Sequence, residues 1–336
     1  MNKRQTIAGR ARLSDVAKVA GVSAATVSRV LSRPDLVADA TRESVMQAVD
    51  ATGYRMNHAA RNLRKQRTGC VVALVPNLGN PFFAKILDGM GRELARCGYN
   101  LLVADTQEDA APQLALHRFL DPSRADGIIL LDGRASLGNM AGNPDLPPVI
   151  TACEWIEGSH LPRVILDNGT GSRQAIEHLL ALGHNHIGLI CGPPENVLHK
   201  ARLAGAQQAA HSARLTLFPG DFRLQAGQQA AQSWQMLSPD QRPTGILAFS
   251  DEMACAFMAS LQRAGYSIPK DVSIIGFDDI ELVSHLSPAL TTVHQPKREL
   301  GRNAARVILN SIAGESVAQT TLLKPELMIR ETTARL

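Results

Sequence analysis

At 336 residues, with 45% hydrophobic and 20% charged side chains, the chain is long enough for two or three globular domains, and no run of about 18 apolar residues offers a membrane span. The formal net charge of +4 conceals a division: residues 1–68 carry 13 Lys and Arg against 5 Asp and Glu, and the remainder carries 22 against 26. A basic head on an acidic body fits a nucleic-acid-binding module joined to a part with another task, although composition alone also allows a head that merely solvates itself.

The first patterned stretch, Leu13 to Leu31, reads as two short helices about a tight turn. Val16, Ala17 and Ala20 give the first an apolar face, and Val27, Val30 and Leu31 do the same for the second. Gly21 stands where the chain must reverse, and Ser23 offers a hydroxyl to the free amides of the second helix. Ala24, Ala25, Ser28 and Arg29 are left facing outward. Short outer side chains let a helix lie deep in a DNA major groove, where Arg29 can reach guanine O6 and N7 with two hydrogen bonds. An ordinary helical hairpin is the alternative. Thr41 to Ala51 predicts a third helix that closes a small core with Val45, Ala48 and Val49 and ends at Gly53-Tyr54.

Arg55 to Thr68 is a polar, strongly basic linker. Its middle, 59–65, could form a helix of under two turns, too short to hold alone in water. With Arg61, Arg64, Lys65 and Arg67 present, DNA is the expected partner. Leu63, a large apolar side chain among these charges, can wedge between base pairs from the minor groove, or can pack back on the third helix or the body.

From Cys70 the pattern changes to apolar strands alternating with amphipathic helices. Strands are predicted at 70–75, 101–104, 127–131 and 149–152, with helices at 82–97 and 113–120 between them. A second set follows: strand 164–166, helix 172–182, strand 187–191, helices 200–211 and 226–236, strand 245–249, helix 251–264 and strand 272–276. This alternation predicts two α/β lobes with parallel sheets and a cleft between them. Residues 291–295 then cross back, so that helix 299–312 serves the first lobe.

Chemistry is mostly conspicuous by the motifs that do not occur. There is no phosphate-binding Gly-x-x-x-x-Gly-Lys-Ser/Thr loop, no Gly-x-Gly-x-x-Gly after a strand, no His-Glu-x-x-His and no Gly-x-Ser-x-Gly elbow. The five cysteines are scattered, which argues for a reducing compartment and against a disulfide framework or zinc site. His184 and His186 read as surface residues. The basic N-terminus has no apolar run behind it, so no signal peptide and a cytoplasmic location are expected. A binding protein with no cofactor or metal is predicted, rather than an enzyme.

Leu13-x-Asp-Val-Ala-x-x-Ala-Gly-Val-Ser-x-x-Thr-Val-Ser-Arg-Val-Leu31, the basic linker and the two-lobed body together resemble the LacI/GalR family of bacterial transcription repressors over the whole chain. Supporting stretches are Asn80-Pro-Phe-Phe83, Asp126-Gly-Ile-Ile129, Arg202-Leu-Ala-Gly205, Ile274-Ile-Gly-Phe-Asp278 and Leu290-Thr-Thr-Val-His-Gln-Pro296. The resemblance implies an N-terminal all-α helix-turn-helix domain and a periplasmic-binding-protein-like α/β body. It also implies a homodimer on palindromic double-stranded operator DNA, controlled by a small-molecule effector. In its terms Ala24, Ala25 and Arg29 read bases, Thr26 and Ser28 hold phosphates, Arg61 and Arg64 belong to the DNA-binding hinge, and Leu63 is the hinge leucine inserted at the operator centre. The effector cleft it implies includes Phe82, Phe83, Glu154, Asp167, Arg202, Phe222 and Asp278. Asp167 could instead cap the helix that follows it, and Phe82 could serve only to pack a helix start.

The expected division is a headpiece over 1–54, a hinge over 55–68 and an effector-binding and dimerisation body over 69–336. Its first lobe takes 69–167 and 296–323, its second 168–295 and 324–336. Arg33-Pro-Asp35, Ala40-Thr-Arg42, Glu154-Trp155 and Asp167-Asn168 are similar to the family's cytidine-responsive branch, which implies a nucleoside effector. Asn196 and Leu198 stand where purine-binding members place polar contacts, so a sugar or sugar acid stays open. With little chain after Arg330 for a tetramerising tail, a dimer is expected. A solute-binding receptor or a cytosolic α/β enzyme are the readings from other classes.

Overall fold

The computed structural model describes residues 11–55, 67–106, 112–134, 143, 145–211 and 213–336. The chain divides into two compact units, Met1–Gln66 and Arg67–Leu336.

In the first unit three helices, α1 (Leu13–Ala20), α2 (Ala24–Ser32) and α3 (Asp39–Thr52), enclose a core of Val16, Ala17, Val27, Val30, Val45 and Ala48. Gly21 turns the chain with φ +66°, and the Val22 amide donates back to the Ala17 carbonyl at 3.1 Å, closing α1. The Ser23 hydroxyl then accepts from the Thr26 amide at 3.1 Å, which opens α2. A glycine and a serine thereby fix the three-residue turn between the two helices.

The second unit holds two six-stranded sheets. The first contains β1 (Cys70–Val75), β2 (Asn100–Asp105), β3 (Gly127–Leu130), β4 (Val149–Ala152), β5 (Arg163–Leu166) and β11 (Thr320–Leu323), in the order β11-β5-β4-β3-β1-β2 and all parallel. Along β1 the side chains alternate between two cores: Val71, Ala73 and Val75 join one, Val72 and Leu74 the other. On the first face lie α4 (Pro81–Arg96) and α10 (Lys297–Ile312); on the other, α5 (Pro112–Phe119) contributes Leu116. Helices α4 and α10 touch backbone to backbone, for a Cβ on Gly89 would overlap the Arg298 carbonyl and one on Gly301 the Ile86 carbonyl.

The second sheet contains β6 (His186–Ile190), β7 (Arg214–Phe218), β8 (Gly245–Ala248), β9 (Ser273–Asp278), β10 (Thr291–His294) and β12 (Glu326–Met328), in the order β12-β10-β9-β8-β6-β7. With it go α6 (Asn168–Ala181), α7 (Val197–Ala210), α8 (Leu224–Met236) and α9 (Asp251–Arg263). The chain passes between the lobes three times: from β5 into α6, from β10 into α10, and from β11 into β12. Residues 332–336 seal the second lobe. The buried Thr332 hydroxyl donates to the Ile274 carbonyl at 2.6 Å, and the Ala334 amide donates to Ser273 Oγ at 3.0 Å.

Several expectations need correction. The sheets are not wholly parallel, since β12 runs antiparallel to β10. Residues 291–294 are a strand, and the crossing follows them. Strands β7, β11 and β12 were not anticipated: each is a short edge strand with exposed positions, so its apolar pattern is weak. His184 is buried, bonded to Thr244 Oγ1 and the Ala334 carbonyl at 3.0 Å each, and burial lowers its pKa. His186 is half-buried beside Thr216.

Candidate DNA-reading face and effector cleft

On α2 the residues opposite the core are Ala24, Ala25, Ser28 and Arg29, all exposed, with Thr26 half-buried at their edge. Among the described residues nothing pairs with the Arg29 guanidinium. Its reach, beside two methyl-sized neighbours, makes it the long probe on an otherwise shallow face. Arg61, Leu63 and Arg64 lie outside the described residues.

The second site forms where the carboxyl ends of the two sheets face each other, the place an open α/β sheet offers to ligands. Backbone conformation marks it. Cys153 after β4, Phe222 after β7, and Asp278 and Asp279 at the end of β9 have φ of +67°, +68°, +120° and +54°. L-residues are held in such conformations only where the surroundings over-determine them, and these four lie at or just past the carboxyl ends of strands in the two sheets.

Arg202 is the centre of the second lobe's contribution. It is 2% exposed on α7, with Nε donating to Asn168 Oδ1 at 2.9 Å and Nη1 to the Phe249 carbonyl. Its guanidinium lies 3.7 Å from the Phe277 ring centroid and 5.8 Å from that of Phe222, and Nη2 stands 3.9 Å from Asp278 Oδ1. Burial lowers its pKa to about 10, so it stays charged. Asp278, 7% exposed, accepts from Gln295 Nε2 at 2.7 Å. Burial raises its carboxyl to about 6, against the opposing charges of Arg202 and Lys297. Asp251, fully buried at the start of α9, accepts from the Thr292 hydroxyl at 2.6 Å and the Ile280 amide at 2.8 Å, and burial also pushes it up. Lys297 donates to the carbonyls of Asp278 and Asp279, tying the β9 edge to the start of α10. Burial would raise Asp279 too, but bonds from His294 Nδ1 at 2.8 Å and Arg330 Nη2 at 2.7 Å hold it down to about 2.

The first lobe presents Glu154 and, beside it, the buried Asp132. Asp132 accepts from the Thr106 hydroxyl at 2.8 Å and pairs with Arg134 at 2.7 Å. Glu154 Oε2 accepts from the Gly133 amide at 2.8 Å, and burial raises its pKa.

Phe82 and Phe83 meet edge to face at 5.1 Å and are both buried in the core cluster at the start of α4. Asp167 caps α6, accepting from the Thr170 amide at 3.0 Å and its hydroxyl at 2.8 Å. Phe222 is half-buried, its ring packed over Gly192 and its carbonyl held by Ser250 Oγ at 3.1 Å. Arg202, Phe222 and Asp278 thus lie together on the second lobe, and Glu154 stands on the first. Sequence reasoning missed Asn168, Asp251, Gln295 and Lys297. The signal for the last two was Val-His-Gln-Pro-Lys directly after a strand-like run.

Known proteins share both halves of this arrangement. Residues 12–57 match the model of bacterial regulatory proteins of the lacI family, and residues 176–333 match a periplasmic binding protein-like domain. The chain belongs to the LacI family and is a DNA-binding transcriptional regulator, not an enzyme. Among its relatives, the HTH-type transcriptional repressor CytR of Escherichia coli K12 is 36% identical over 97% of each chain. The HTH-type transcriptional repressor PurR of Aliivibrio fischeri is 34% identical over 95% of this chain and 97% of its own. The structure of the lac repressor dimer bound to operator and the anti-inducer ONPF superposes with a TM-score of 0.84 at 29% identity, covering 97% of this chain and 99% of that one. The transcriptional regulator CelR in complex with cellobiose superposes at 0.72, with 30% identity over 96% and 100%. Among the described residues no helix is long and apolar enough to cross a membrane.

Proposed function

We propose that this regulator binds a palindromic operator as a homodimer and releases it when a small hydroxyl-bearing molecule, a nucleoside such as cytidine, occupies the cleft between the lobes. The observation that carries the effector half is the buried couple of Arg202 and Asp278 set against the Phe277 and Phe222 rings. A charged pair already desolvated and pre-oriented can bond vicinal hydroxyls with little further ordering, while a ring face accepts a base or the apolar side of a sugar. Arg29 reads the operator, Ala24 and Ala25 allow close approach, Thr26 and Ser28 hold phosphates, and the hinge residues Arg61, Leu63 and Arg64 engage the DNA between half-sites. Release follows if the effector binds one lobe arrangement better than the other, since a ligand shifts an equilibrium only by its differential affinity.

A sugar or sugar acid is the second reading. It is favoured by the structural relatives with bound ribose or cellobiose, and by Asn196, whose side chain is already bonded within the protein and so leaves little to read a base. A thermal-shift screen of nucleosides, sugars and sugar acids tests both, followed by operator titration by fluorescence anisotropy with each hit. Nucleosides that raise the melting temperature and weaken operator binding are expected. Nucleosides without effect on either overturn the first reading, and a sugar acid with both effects establishes the second.

A further inference from the structure

Besides the proposed ligand groups, the lobes are joined by polar side chains at the first turn of α7. Glu154 belongs to the first lobe, where the positive φ of Cys153 turns it inward and the Gly133 amide holds Oε2. A Cβ on Gly133 would overlap the Trp155 carbonyl, so this loop is closely fitted. Glu154 Oε1 accepts from Asn196 Nδ2 at 3.0 Å, across to the second lobe. The other end of Asn196 is also engaged: Oδ1 caps α7, accepting from the Leu198 amide at 2.8 Å and the His199 amide at 3.4 Å. One turn on, Lys200 pairs with Glu157 of the same facing loop at 2.8 Å, with side chains 42% and 58% exposed. The exposed pair adds little in water, whereas the Asn196 bond is made to a part-buried carboxylate. Arg202 lies on the same helix, so whatever sets α7 against the Glu154 loop also sets the distance between the two charged walls of the cleft.

We infer that Asn196 is a positioning residue: it clasps the two lobes and holds Glu154 and Arg202 at the separation an effector bridges. The inference rests on the reading of the cleft as the effector site, but the clasp itself can be tested without any ligand. Asn196→Asp keeps a good helix cap and replaces the donor facing Glu154 by a second carboxylate. Two carboxylates this close cannot both ionise freely, so protonation restores a bond between them. The charged and titratable groups around them are Asp132 and Arg134 after β3, Cys153, Asp278 at the end of β9, Glu195 before α7, His199 and Arg202 on α7, and the Lys200–Glu157 pair at the lip.

Trp155, adjacent to Glu154 and half-buried, reports on the loop, and Trp234 is buried in the core. Acrylamide quenching of the full-length protein is expected to rise about twofold in Asn196→Asp at pH 8 and to return to the wild-type level at pH 5.5. Asn196→Ser, which caps but cannot reach Glu154, gives the rise at both pH values. Wild-type quenching in Asn196→Asp at pH 8, or a rise that does not reverse with acid, overturns the clasp. With cytidine and ribose as probes, calorimetry separates the two readings. Because Asp278 in the cleft also titrates at about 6, each variant is compared with wild type at the same pH. A clasp that positions the walls gives equal affinities at pH 5.5 and at least a tenfold weaker probe affinity in Asn196→Asp than in wild type at pH 8. Unchanged affinity there, together with loss in Arg202→Ala, removes the positioning role and keeps the effector site. Affinity unaffected by either substitution, or no binding of either probe to the wild type, counts against the effector reading, and the quenching result still decides the clasp.

Discussion

The α2 face and the cleft are both polar recognition surfaces, yet they are built in opposite ways. On α2 the side chains are short, exposed and, in the case of Arg29, unengaged among the described residues. In the cleft Arg202, Asp278, Asp251 and Lys297 are buried and hydrogen-bonded to neighbouring polar side chains or to backbone. The difference follows from the ligands. A duplex brings its own high charge density and counterions, so a loose guanidinium gains from it by displacing them. A small molecule has few groups to offer, so the protein must order and desolvate its own beforehand. Stability and recognition are therefore nearly separable on α2 and inseparable in the cleft.

The largest expected effect comes from Arg202→Ala. It leaves the buried Asp278 carboxylate without its guanidinium and Asn168 and the Phe249 carbonyl without a donor, at a cost of about 3–5 kcal/mol to the body. Calorimetric unfolding would show the body transition falling together with loss of effector response. Asp279→Asn comes next. The wild-type carboxyl, held at about 2 against about 3.9 when unfolded, contributes stability that is fully present above pH 4 and lost as the pH falls through 2. The variant is expected to be about 2 kcal/mol less stable at pH 7, with the gap closing between pH 4 and 2 in denaturant titrations. Arg29→Ala is the smallest and the sharpest. It should weaken operator binding by roughly tenfold at fixed salt and leave the melting temperature unchanged. If it destabilised the fold as Arg202→Ala does, the contrast between the two surfaces would be wrong.

Much of this was legible in the sequence for identifiable reasons. The α1–α2 turn depends on residues within four positions of one another, Ala17 with Val22 and Ser23 with Thr26, so local pattern suffices. β1, β3 and β9 are buried on both faces and read as continuous apolar runs. β7 and β11 sit at sheet edges, where exposed positions dilute the signal. At the cleft, Arg202, Phe222 and Asp278 were found by family likeness. Their partners were not, because Asn168 lies 34 residues from Arg202 and Gln295 lies 17 from Asp278. Asn196 and Glu154 are 42 apart, and no periodicity encodes a contact that two lobes create.

The triple passage between lobes has a consequence for synthesis. The three-helix unit makes its contacts within residues 13–54 and can be complete while the ribosome is still far from the end of the message. The body cannot. Its first sheet lacks an outer strand until residues 320–323 emerge, its second until 326–328, and the buried Ser273 and His184 wait for Ala334. A nascent regulator thus acquires its DNA-reading surface long before it acquires the means to answer an effector.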